Sequence, residues 1–183
     1  TWFKVIAPKL FGNKHIGDSY LQSVDAAVGR QMKLNMRDLT GNVKDQNVYI
    51  SFRLSGVEAN QLQTSVIGYQ LTPAYVKRMV RKNTARLDDY FTLTTKGGKK
   101  VIAKTMVITL NKTTRSTKAA VRVELQKLLQ EEMGKADFAT FVGNLVNYRI
   151  QSGFKKKLRK IFPIKEVAVR VLQLVEAKGA VKK

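Results

Sequence analysis

The tightest constraint on this chain is electrostatic. Thirty-four Lys and Arg stand against 13 Asp and Glu in 183 residues, a formal charge of +21. Self-repulsion on that scale opposes compaction, so the fold needs a substantial apolar core and a partner of opposite sign. With 44% hydrophobic residues the chain can build one such core, and its length is short for two. A single domain over residues 1–183 is expected, β-rich over 1–110, helical over 116–162 and closed by a strand over 164–176. A dense polyanion would relieve the repulsion and release its condensed counterions, which points to nucleic acid. A membrane surface is the rival. No run of ~18 apolar residues is present and no basic amphipathic helix stands apart from the globular pattern, so no membrane partner is expected.

Cysteine is absent and His15 is the only imidazole. Disulfides, thiolate metal sites and thiol catalysis are therefore excluded, and a zinc site or a Ser/His/Asp triad would have to centre on His15. That residue sits in the loop-like Phe11-Gly12-Asn13-Lys14-His15-Ile16-Gly17 with no nucleophile beside it. The first residues lack an apolar segment followed by a cleavage site, which points to the cytoplasm. The chain starts without Met, in mid-strand pattern, so a basic tail preceding it is expected to be missing.

Residues 2–7 alternate as a strand that Pro8 stops, and a glycine-punctuated loop follows to about residue 28. Met32, Leu34 and Met36 predict a second strand closed by the turn Asp38-Leu39-Thr40-Gly41. The runs 47–55 and 61–70 read as an antiparallel pair. Thr72 and Pro73 open a short helix with Tyr75, Val76, Met79 and Val80 on one face. Two β-rich runs, 85–95 and 99–110, flank Lys96-Gly97-Gly98-Lys99, a hairpin whose glycines supply positive φ. A helix over 117–133, capped by Ser116 or Thr117 and ended by Gly134, buries Val121, Leu125, Leu128 and Leu129. Asp137 caps a second helix, and Phe154–Phe162 forms a third that buries Ile161 and Phe162 as well and stops at Pro163. Val167–Val175 returns as a strand. Strands, then helices, then a strand predict an α+β fold: an antiparallel, barrel-like sheet with helices packed at one face or end. No internal repeat is present.

The charge is clustered. Between Asp89 and Glu124 there is no acidic residue, while Lys96, Lys99, Lys100, Lys104, Lys112, Arg115, Lys118 and Arg122 are all basic. Solvated faces usually mix signs, so a one-sign run is informative. Arg115, Lys118 and Arg122 also crowd the positive end of a helix dipole while Glu131 and Glu132 lie near its negative end, each misplacement costing about 0.3–1 kcal/mol. A phosphate docked at that N-terminus would reverse the sign of the effect. A second cluster is Lys77, Arg78, Arg81, Lys82 and Arg86, at helical spacing and continuing into the next strand. A third is Lys155, Lys156, Lys157, Arg159 and Lys160, a hexamer interrupted only by Leu158. Such a run also resembles a nuclear import signal, but its buried neighbours favour a phosphate-binding face. The second and third clusters, with Lys96, Lys99, Lys100, Lys112, Arg115, Lys118 and Arg122, are the candidate RNA-binding set.

Phe138, Phe141, Phe154 and Phe162 fall at core spacing and read as packing residues, not stacking platforms. Trp2 and Phe3 point to opposite faces of their strand, so one can be exposed. Catalysis finds little support: the adjacent carboxylates are Asp88-Asp89 and Glu131-Glu132, and such neighbours diverge on a strand or a helix. No Walker loop or dinucleotide fingerprint occurs. No catalytic residue, metal or cofactor is expected.

Several stretches together resemble a known family. Trp2-Phe3-Lys4-Val5-Ile6-Ala7-Pro8-Lys9-Leu10-Phe11, Gly29-Arg30 leading to Asp38-Leu39, Leu71-Thr72, Lys112-Thr113-Thr114-Arg115 and Ile161-Phe162-Pro163-Ile164-Lys165-Glu166-Val167-Ala168-Val169-Arg170 are similar to the archaeal and eukaryotic S3Ae family of small-subunit ribosomal proteins. The opening and the Phe-Pro-to-strand segment are the most specific. The resemblance implies a β-barrel-like domain carrying helices, placed once per subunit on the small-subunit platform near the messenger exit. It implies small-subunit rRNA and neighbouring ribosomal proteins as partners, with messenger RNA near the exit as a further contact, and no enzymatic role. The longer basic ends of eukaryotic members are lacking, which implies an archaeal source or trimmed ends. The alternative is a free-standing single-strand RNA-binding protein or chaperone, which aromatics exposed on one sheet face would favour. A nuclease would need a carboxylate cluster assembled from distant positions around Asp88 and Asp89.

Overall fold

Alternating side chains fix which way each strand faces. A computed structural model of the chain describes residues 1–22, 27–58 and 61–175, with the backbone alone at Glu58. Within these, eight strands and five α-helices form two compact units, Thr1–Thr72 and Pro73–Lys183. The α+β reading holds.

The first unit holds β1 (Trp2–Ile6), β2 (His15–Tyr20), β3 (Gln31–Asn35), α1 (Met36–Thr40), β4 (Val48–Glu58) and β5 (Gln61–Leu71). Its strands are ordered β2-β1-β5-β4-β3, with β1 parallel to β5 and the other neighbours antiparallel. Phe3 and Val5 turn inward onto Leu21, Ala27, Leu54 and Leu62, while Trp2 and Lys4 turn out. Residues 15–20, expected as loop, form a strand because β1 supplies the pairing, Trp2 to Tyr20 through Ile6 to His15. Ala7 N–H donates to the Lys14 carbonyl at 2.8 Å and closes the connection. The second strand also ends earlier than expected. Asn35 is an N-cap whose side chain accepts from Arg37 N–H at 3.0 Å, and Gly41 ends α1 in the left-handed region at φ 75°. Met36 and Leu39 are therefore buried by a helix, not by a strand and a turn.

The second unit holds α2 (Pro73–Met79), β6 (Arg86–Thr94), β7 (Lys100–Thr109), α3 (Arg115–Lys135), α4 (Phe138–Val146), α5 (Arg149–Leu158) and β8 (Ile164–Leu174). Its strands run β6-β7-β8, all antiparallel. On β6, Leu87 and Leu93 are buried and Arg86, Asp88, Tyr90, Thr92 and Thr94 exposed. A hydrogen-bonded pair between Asp89 and Arg122 places α3 over the Leu87 face. Val121, Leu125, Leu128, Leu129 and Met133 are buried on α3, as the spacing predicts. The helix starts earlier, with Thr114 as N-cap, and runs past Gly134. The third helix lies earlier in the chain than expected, because Tyr148, at φ 56°, turns directly into α5 and Gln151 donates to the Leu145 carbonyl at 2.9 Å. It ends at Leu158, and Ile161, expected to be buried, is exposed.

No barrel forms. Among the described residues β2 pairs only with β1 and β3 only with β4, and β6 has a partner on one side only. Closure needs two edge strands that meet, and β2, with no fully buried residue, has no apolar face to contribute to a barrel interior. The irregular turn expected over residues 56–60 lies partly outside the described residues, as does position 176 of the closing strand.

Candidate nucleic-acid interface

The two units divide the charge unequally. Residues 1–72 carry 8 Lys and Arg against 5 Asp and Glu, net +3, and residues 73–183 carry 26 against 8, net +18. All the candidate residues lie in the second unit.

Strand direction brings three of the clusters to one end of it. β6 begins, β7 ends and β8 begins there: Thr109 N–H donates to the Ala85 carbonyl at 3.0 Å, Ala85 N–H to Thr109 Oγ1 at 2.9 Å, and Leu110 N–H to the Pro163 carbonyl at 3.1 Å. The segments just outside these bonds carry Arg81 and Lys82, then Lys112 and Arg115, then Arg159 and Lys160, all exposed. Arg81 and Lys82 are not on the helix as the spacing predicts. α2 stops at Met79, Asn83 takes φ 61°, and Thr84 Oγ1 donates to the Arg81 carbonyl at 2.7 Å. Lys77 and Arg78 occupy its last turn, the Arg78 guanidinium 5.8 Å from the Tyr75 ring centroid. Burial, with Glu166 nearby, raises the Tyr75 hydroxyl above its ordinary value.

The hairpin tip lies at the other end, about 30 Å away for strands of this length. Gly98 alone of the two glycines takes positive φ, at 72°, and Thr95 N–H donates to the Lys99 carbonyl at 3.0 Å. Lys96, Lys99 and Lys100 are exposed around it.

Three candidates are tied to carboxylates. Arg86 Nε lies 2.6 Å from Asp88, Arg122 Nε 2.7 Å from Asp89, and Lys155 Nζ 3.6 Å from Glu166. The last is long for a hydrogen bond. Asp89 is held mainly by burial above the usual carboxylate range, with Arg122 pulling it back, and its Oδ2 is buried without a partner.

The two helix ends differ in kind. Lys155, Lys156 and Lys157 form the last turn of α5, and Arg159 and Lys160 follow it, where cations complement the dipole. Arg115 and Lys118 sit in the first turn of α3, which has no acidic residue and no side-chain cap. Thr114 Oγ1 is turned to Thr117 Oγ1 at 2.9 Å instead of the backbone. Arg122, bound by Asp89, has a local reason for its position; Arg115 and Lys118 have none in the described contacts.

Asp88 and Asp89 face opposite sides of β6, and no group of three or more metal-ligating His, Cys, Asp or Glu exists among the described residues. Among them, too, no helix is long and apolar enough to cross a membrane. Trp2 is 69% exposed, in edge-to-face contact with Tyr20 at 5.5 Å, whereas Phe3, Phe138, Phe141 and Phe154 are buried. Tyr90, which cluster-based reading passed over, is exposed on β6. The alternation Leu87, Asp89, Phe91, Leu93 already places it outward.

Residues 1–178 match the Ribosomal S3Ae family. The chain is 30% identical over 175 residues to the small ribosomal subunit protein eS1 of Methanothermobacter thermautotrophicus, covering 96% of this chain and 90% of that one. It is 28% identical to the eS1 protein of Sulfurisphaera tokodaii, over 96% of this chain and 91% of the other. The similarity runs through both units, and the chain belongs to the Ribosomal S3Ae family, a family of ribosomal proteins and not of enzymes.

Proposed function

We propose that this protein is a structural constituent of the small ribosomal subunit, present once per cytoplasmic ribosome, that binds rRNA on the platform near the messenger exit beside other ribosomal proteins. The observation that carries the reading is the family match over 1–178, joined to a net +18 in the second unit. Both units act in this reading as one ribosomal-protein domain. The RNA contacts are Lys77, Arg78, Arg81, Lys82, Arg86, the tip Lys96, Lys99 and Lys100, the α3 group Lys112, Arg115, Lys118 and Arg122, and the α5 group Lys155, Lys156, Lys157, Arg159 and Lys160. Most of these bonds go to phosphate and ribose, so shape and not base sequence selects the site. The exposed aromatics Trp2, Tyr20 and Tyr90 favour a second reading, a free single-strand RNA-binding module. Crosslinking with mass spectrometry on ribosomes washed in high salt separates the two. Retention on the small subunit, with rRNA crosslinks through 77–86, 96–122 and 155–160, supports the first. Loss in the wash, with recovery on unrelated single-stranded RNA, supports the second.

A further inference from the structure

Tyr90 is 58% exposed at the middle of β6, four residues from Arg86 and six from Lys96. Its register partner on β7 is Lys104, so their Cβ atoms stand about 5 Å apart on the same face. Lys100, opposite Thr94, continues that face toward the hairpin tip. Toward the other end lies Asp88, whose carboxylate binds Arg86 at 2.6 Å and Arg170 of β8 at 3.1 Å. Arg170 reaches across β7 to make this contact, so both guanidinium groups are fixed on the face that carries Tyr90. Asp88 is thus set among four cations, Arg86, Lys100, Lys104 and Arg170, and Glu166 of β8, opposite Ile108, is paired with Lys155. The face is the side away from α3; its exposed row is Arg86, Asp88, Tyr90, Thr92 and Thr94 of β6 with Lys104 and Lys100 of β7, while Met106 and Ile108 of β7 are buried.

We propose that this face takes a segment of single-stranded RNA, with one unpaired base stacked on the Tyr90 ring and the flanking phosphates held by Lys104 and the Asp88-anchored arginines. The inference rests on the RNA-binding reading above and adds a base contact outside the clusters. An exposed ring offers its π-face to any base, and cations on both sides follow the backbone. The interior of a duplex cannot use it, because its bases are already stacked on both faces. The Trp2–Tyr20 pair is a poorer platform: its rings are already in contact, and the residue opposite the neighbouring Lys4 is the acidic Asp18.

The test uses the full chain with an oligouridine of about ten nucleotides and an RNA duplex of equal length, titrated over a range of salt. Tyr90→Ala is expected to weaken oligouridine binding by about 5- to 100-fold, with its salt slope and the duplex affinity unchanged. Tyr90→Phe is expected to keep near-native affinity, whereas Lys104→Ala reduces the slope by about 0.7. Tyr90→Ala binding like wild type overturns the inference, as does equal loss of both RNAs. If wild type binds neither RNA, the RNA-binding reading fails and this site with it; if only the Tyr90 effect is missing, the wider reading survives. In small subunits carrying 4-thiouridine, an RNA crosslink at the Tyr90 peptide is expected, and RNA crosslinks at the other peptides of the second unit with none at the Tyr90 peptide overturn the proposal.

Discussion

The first unit, with net +3, spends its polar side chains on its own architecture: Lys14 donates to the Leu39 carbonyl, Lys33 to Gln70, and Asn35 caps α1. The second unit, with net +18, leaves most of its cations directed outward. Packing therefore accounts for the first unit almost alone, while the second needs a polyanion to explain its surface. Changes in the first should be read in stability and surface changes in the second in RNA affinity.

The largest expected effect is on the core of the first unit. Phe52, fully buried against the edge of Phe11 at 5.8 Å, should cost about 3–5 kcal/mol when changed to Ala, measured by urea denaturation, with the salt slope of the folded fraction unchanged. Next is the charge removal itself. Lys112→Ala, Arg115→Ala and Lys118→Ala together should lower the slope of log affinity on log salt by about 2 for single-stranded RNA. The matching removal of Lys9, Arg37 and Lys44 from the first unit should leave it unchanged. An equal fall in both would erase the distinction between the units.

Smaller effects sharpen it. Asn35→Ala should destabilise the protein by about 1 kcal/mol without altering RNA binding. Lys118→Ala should raise stability by about 0.3–1 kcal/mol while weakening RNA binding, and Lys157→Ala should lower both, since the dipole opposes the first cation and favours the second. The smallest concerns Asp89. Its carboxyl is raised by burial, so the folded state holds that proton more tightly than the unfolded one. The stability this contributes is complete below the unfolded value of ~3.9 and is lost as pH rises through the folded value. Asp89→Asn keeps an acceptor for Arg122 and removes the ionisation. Its neutral-pH stability should equal or exceed wild type, and denaturation across that window should show this part of the acid gain abolished.

Much of this was legible in the chain. Long runs with one period, such as Val121 to Leu129 on α3 or the alternation of β6, declare their buried face because a single geometry satisfies them. The β2 strand was not legible, since His15-Ile16-Gly17-Asp18-Ser19-Tyr20 has no alternation and depends on pairing with β1. Met36 satisfied both the strand and the helix pattern, and the cap at Asn35 decided between them. Barrel closure was inferred from element order, which does not say whether edge strands meet. At the interface, the basic clusters were visible in sequence but their meeting at one end was not, because it follows from the directions of β6, β7 and β8. The pairing of Arg122 with Asp89 and Lys155 with Glu166 joins positions too distant to read locally.

The most direct test of the central claim, that the converging strand-end cations of the second unit grip rRNA, is crosslinking on salt-washed small subunits resolved to single residues. Crosslinks to rRNA are expected at Arg81, Lys82, Lys112, Arg115, Arg159 and Lys160 together, and few at Lys9, Arg37 and Lys44. Crosslinks concentrated in residues 1–72, with the second unit bare, would contradict it.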